Sequence, residues 1–199
     1  MAINTDKSPG EIFGSKRLIY PNTDDFGWRD ITAEILTRGV GATDPAWAQI
    51  GSSSFYAYAF AVNDVAWFNY HIPHDIVPNT PIHFHAHWLT DGADTAVVKW
   101  QWEFMYAKGF NQEAFDPSGT TVTAQQAGSG VAYQHMVTET DGNKIDGLTE
   151  PDGLIYCKLT RLTNGAVDNA DAVFLLTADI HYQSSDMSTF GKAPNFYGA

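Results

Sequence analysis

From Ser53 onward the chain alternates apolar and polar positions with a period of two, the pattern of strands whose successive side chains point to opposite faces. The stretch SFYAYAFAV places Tyr56, Tyr58, Phe60 and Val62 on one face and Phe55, Ala57, Ala59 and Ala61 on the other, so both faces of that strand can be covered. VNDVA predicts a turn into AWFNYHI, and with it a hairpin. Further strands are predicted over PIHFHAHWL, AVVKWQWEFMYA, VAYQHMVTE, GLIYCKLTRL and DAVFLLTADIHYQ, separated by TDGAD, DPSGTT, TDGNKIDGLTEPDG and TNGAVDNAD, segments rich in turn-forming residues. Strands that follow one another without a long amphipathic helix predict an all-β fold: an antiparallel two-sheet β-sandwich, jelly-roll-like, with extended arms at both ends.

Ahead of Ser53 the period is less regular. GWRDITAEILTRGVG fits either a short helix after Asp30 or a strand carrying Ile31, Ala33 and Ile35, whereas DPAWAQ predicts one helical turn with Asp44 as its cap and Pro45 in the first position. Residues 1–22 and 184–199 follow neither period, which divides the chain into an N-terminal arm (1–22), a sandwich domain (23–183) and a C-terminal arm (184–199). The arms nevertheless carry Ile19, Tyr20, Phe190, Phe196 and Tyr197, too apolar for solvated tails. These five residues are expected to be interface anchors lying on neighbouring subunits.

Composition narrows the function classes. A net charge of −12 with only 11 Lys and Arg repels phosphates, so nucleic acid is not an expected partner. The N-terminal stretch lacks a basic region followed by an apolar run, and no segment has the roughly 18 apolar residues of a membrane span, so a soluble protein with no membrane partner is expected. Cys157 is the one cysteine, placed by LIYCKLT on the strand face of Ile155 and Leu159, which predicts a buried, inert thiol.

The segment 71–88, HIPHDIVPNTPIHFHAHW, holds five of the seven histidines. His83, His85 and His87 share one strand face, with Ile82, Phe84, Ala86 and Trp88 on the core side. The next strand alternates Val98, Trp100, Trp102 and Phe104 against Lys99, Gln101, Glu103 and Met105. A hairpin through TDGADTA would pair His87 with Lys99, His85 with Gln101 and His83 with Glu103, stacking Phe84 on Trp102 and giving each histidine a polar neighbour. The alternative is a cupin-like metal site formed by His83, His85 and His87, with Glu103 as a carboxylate ligand. The outward, polar side of the strand favours the hydrogen-bonded ladder, and no cofactor is expected. His71 and His74 flank Ile72-Pro73, where Asp75 is expected to accept from an imidazole or cap the turn. His135 and His181, the latter on the face of Asp179, are expected to be satisfied polar residues.

No other stretch assembles a nucleophile, a base and an oxyanion donor, and no enzyme activity is expected. Asp141, Asp146, Glu150 and Asp152 lack the spacing of a calcium loop and fit Asp-Gly turns. Trp28, Trp47, Tyr197 and the Tyr56 face suit sugar binding and subunit contacts equally. The motifs GWRDITAEI, RGVGATDPAWAQI, HIPHDIVPNTPIHFHAHW and ADIHYQSSDMSTFGKAPNFY, from about Phe26 to Tyr197, resemble virion structural proteins of tailed bacteriophages. That resemblance implies a non-enzymatic β-sandwich on the virion, made in the host cytoplasm. It would serve as a capsid decoration or cement protein or as a tail-associated one, its partners the major capsid protein, other virion proteins and copies of itself, expected as a homotrimer.

Overall fold

The computed structural model describes residues 26–38 and 43–198. Its strands are β1 (Gly27–Ala33), β2 (Ala46–Gln49), β3 (Tyr56–Phe60), β4 (Val65–His71), β5 (His83–Thr90), β6 (Val97–Ala107), β7 (Thr120–Ala127), β8 (Met136–Glu139), β9 (Leu154–Leu162) and β10 (Val173–Ser184). All their pairings are antiparallel and form two sheets. The first runs β2-β3-β10-β5-β8, with β1 also on β10, and the second runs β4-β9-β6-β7. Strand β10 is long enough to take two neighbours on one edge: Val173–Leu175 pair with β3, and Ala178–Ser184 with β1. The result is the all-β sandwich that the period of two implies. Among the described residues no helix is long and apolar enough to cross a membrane.

The core lies between the sheets. Phe84, Ala86 and Trp88 from β5, with Ala178, Ile180 and Tyr182 from β10, face Val98, Trp100, Trp102 and Phe104 from β6 and Ile155, Cys157 and Leu159 from β9. Phe84 lies 4.8 Å from Phe104 and 6.2 Å from Trp102 between ring centroids. Cys157 is fully buried in this layer, and burial pushes its thiol well above the ordinary range, leaving it inert.

Two predicted hairpins are instead crossings between the sheets. β3 and β4 belong to different sheets, joined by a tight corner in which Asn63 adopts φ 72° and the Asp64 carboxylate accepts from Ala61 N at 2.7 Å. β5 and β6 also part company, so the register pairing His85 with Gln101 and His83 with Glu103 does not occur. β5 pairs with β10 and β8, and Glu103 of β6 pairs with Lys158 of β9. Stacking the apolar faces of β5 and β6 across the sandwich buries each against the other, so Phe84 meets Trp102 through the core, not along a shared sheet. The crossing is pinned by carboxylates: Asp94 accepts from Ala96 N and Ala170 N, and Asp171 from Asp94 N, each at 2.8 Å.

The N-terminal alternatives resolve to strands. GWRDITA is β1, and the helical turn expected at DPAWAQ is instead β2, an edge strand whose Trp47 sits opposite Tyr58 with their rings 4.8 Å apart. Pro45 precedes that edge strand, where its missing N–H costs no ladder bond. Ile19 and Tyr20 lie outside the described residues. Part of the C-terminal segment, expected on a neighbouring subunit, lies against its own chain. Ser185 N donates to Asp75 O at 2.8 Å, Thr189 N donates to His74 O at 3.1 Å, and Phe196 is buried beside the rings of His74 and Phe110. Phe196 is therefore covered by its own chain, because the β4–β5 and β6–β7 loops leave an aromatic-lined seat for it. Tyr197 is half-buried and Phe190 almost fully exposed.

Candidate functional site

The histidines of β5 lie on the outer face of the first sheet, and a bulge in β10 decides what stands beside them. Before the bulge Val173 and Leu175 face the core; the register shifts between Leu175 and Thr177, and thereafter Ala178, Ile180 and Tyr182 face it. The extra residue exchanges odd for even positions. Without it Asp179 and His181 would enter the apolar core. With it they emerge on the outer face, Asp179 opposite His85 and His181 opposite His83. β1 adds Asp30 opposite His181, and β8 adds Glu139 opposite His85. Four strands thus contribute to one patch of imidazoles and carboxylates.

His85 and Asp179 form its buried centre, with side chains only 3% and 4% exposed. His85 donates from Nε2 to Glu139, while its Nδ1 faces Asp179 Oδ2 at 3.6 Å, too far for a hydrogen bond. His181 contacts Asp30 through Nε2, and its Nδ1 lies 3.4 Å from Glu139 Oε2. The His85 and His181 rings stand edge to face, 3.7 Å between centroids. His87 Nε2 approaches Asp179 Oδ1 at 2.9 Å but off the line of a hydrogen bond, and its Nδ1 is 2.9 Å from His135 Nε2. His83 donates from Nδ1 to Thr140 O at 3.0 Å and meets Trp28 edge-on.

The charges respond to these neighbours. Burial lowers the affinity of His85 for a proton, against the pull of Glu139. The carboxylate of Asp179 raises that of His87, outweighing burial. Burial alone would raise the Glu139 carboxyl, but the bond from His85, with His83 and His181 nearby, holds it below its ordinary value.

The residues expected to act together are therefore separated. Alternate residues along a strand are about 6.5 Å apart, so His83 and His87 are separated by about 13 Å of backbone and cannot share one ion with His85. Glu103 lies in the other sheet, bonded to Lys158. The convergent groups come from across the sheet instead: His85, Asp179 and His181 hold ligand atoms within 4.8 Å of one another. The alternation of ADIHYQ already puts Asp179 and His181 on one face, but only the strand order brings that face to His85. At the β4–β5 turn His71 and His74 approach Asp152, at 3.3 and 3.2 Å. Asp75 accepts from Arg29, Tyr182 and Ser184.

No family model and no curated protein matches this sequence. Among solved structures the chain is similar to CBM35 from Cellvibrio japonicus Abf62 (6% identity, TM-score 0.41, covering 79% of this chain and 98% of that one). It is similar also to a β-1,3-glucan-binding CBM6 from Bacillus halodurans (12% identity, TM-score 0.34, covering 82% and 92%). A third likeness is to the receptor-binding domain of spike protein P1 from bacteriophage PM2 (9% identity, TM-score 0.33, covering 82% and 99%).

Proposed function

We propose that the chain is a non-enzymatic structural protein of a tailed bacteriophage, seated on the head as a decoration or cement protein and forming a homotrimer there. The observation that carries this reading is the aromatic edge of the first sheet. β2 is a four-residue edge strand, and around it Trp47 is 62% exposed and Phe55 73%, with Tyr56 stacked on Trp47. Large aromatic groups beside a strand edge that no other described strand pairs fit a surface that another protein covers. The sequence motifs that resemble phage virion proteins and the strongly acidic composition support the same assignment.

The test is electron microscopy of particles made without this protein, together with light scattering of the purified chain and of Trp47→Ala/Phe55→Ala. Loss of a density on the head, a trimer in solution and a monomeric double variant are expected. Altered tails on unchanged heads would move the protein to the tail, and its absence from purified particles would overturn the virion assignment.

A further inference from the structure

We propose that the outer face of the first sheet carries a site for a divalent first-row transition-metal ion, bound by Nδ1 of His85, Nδ1 of His181 and the carboxylate of Asp179. The inference is independent of where the protein sits on a particle. It starts from two buried polar atoms without hydrogen-bond partners, His85 Nδ1 and Asp179 Oδ1. Both belong to side chains more than nine-tenths buried, where an unsatisfied polar group is costly. An imidazole that donates from Nε2 to Glu139 keeps a lone pair on Nδ1, and that lone pair faces the other oxygen of the same carboxylate, Asp179 Oδ2, at 3.6 Å. Two acceptors in a dry site do not stabilise one another. A cation between them gives Nδ1 its missing partner and neutralises the buried carboxylate.

The geometry suits such an ion. One placed about 2.1 Å from a nitrogen and an oxygen 3.6 Å apart subtends about 120° between them, within the range of four- and five-coordinate sites. His181 supplies the third ligand within the 4.8 Å span of the cluster. Imidazoles that bind metal through one nitrogen usually donate the other N–H to a carboxylate, which fixes ring and tautomer. Both rings have that partner on Nε2: Glu139 behind His85 and Asp30 behind His181. Two imidazoles and a carboxylate select a borderline ion such as Zn²⁺ or Co²⁺ over the oxygen-seeking Mg²⁺ and Ca²⁺. Ligands from β5 and β10, with Glu139 from β8 behind them, would tie the short edge strand β8 to the middle of its sheet.

The experiment uses the full chain without a histidine tag, stripped with chelator and titrated with Zn²⁺ by calorimetry and with Co²⁺ by visible absorption. One ion per chain is expected, with d–d bands of the intensity of a four- or five-coordinate site and a raised melting temperature. His181→Gln, at a half-buried position that tolerates polar replacement, should weaken Zn²⁺ binding at least about tenfold, as should Asp179→Asn, and Glu139→Gln by about tenfold. His71→Gln, at the other histidine cluster, should bind as the parent does. Circular dichroism confirms that each variant is folded, and His181→Gln decides the matter if Asp179→Asn is not. Less than a tenth of an equivalent bound by the parent, or binding unchanged in His181→Gln, would overturn the site.

Discussion

The two sheets present outer faces that look alike along the chain and differ in three dimensions. On the second sheet Glu103 and Lys158 sit directly opposite one another, their side chains 44% and 31% exposed. On the first, Asp179 and His85 also sit opposite one another, yet both are buried. The difference lies in what surrounds them. β8 flanks β5 and brings Glu139 over His85, and His181 stands edge to face on the same ring. Alternation along a strand therefore settles which way a polar side chain points. Whether that direction is wet depends on its neighbours across the sheet.

The largest effect belongs to neither outer face but to the core between them, and it sets the scale. Trp102 is fully buried opposite Phe84. Trp102→Ala should cost about 3–5 kcal/mol in denaturant unfolding, combining lost burial with a cavity that a sandwich cannot close. A cost near 1 kcal/mol would mean that the sheets are not packed through this ring.

Asp179→Ala, measured with chelator present, addresses the first sheet's outer face. It leaves His87 Nε2 without the carboxylate that faces it at 2.9 Å, in a site with little water, and should cost about 1–3 kcal/mol by thermal or urea unfolding. A loss no larger than that of Glu103→Ala would erase the distinction between the two faces.

What was legible in the chain divides along the same line. The core faces of β5, β6 and β9 follow from alternation, as do the burial of Cys157 and the outward direction of His83, His85 and His87, because these depend only on a residue's place in its own strand. The partners of β5 do not. The residues from Asp91 to Ala96 can close a hairpin, and at about 3.3 Å per residue they can equally span the about 10 Å between packed sheets. Loop length could not choose between the two. The bulge near Leu176 is equally silent, since Leu-Leu-Thr carries no glycine or turn signal, yet it alone turns Asp179 and His181 towards the histidines. Phe196 was legible as an anchor but not as one that its own chain receives, for its seat is made by His74 and Phe110, remote in sequence.

The smallest effect is predicted for the second sheet's outer face, and it tests the comparison from the wet side. Lys158 Nζ donates to Glu103 Oε2 at 2.7 Å, a close ion pair. Distance alone would make it strong. Both side chains reach solvent, however, so water screens the attraction in the folded state and solvates both charges when the pair is broken. A double-mutant cycle with Glu103→Gln and Lys158→Gln should give a coupling of about 0.2–1 kcal/mol, the range of exposed and cross-strand pairs. It should fade at about 1 M salt, where the screening length falls to about 3 Å. A coupling that persists undiminished in salt would show that the second sheet's outer face is shielded like the first, and that exposure does not distinguish them.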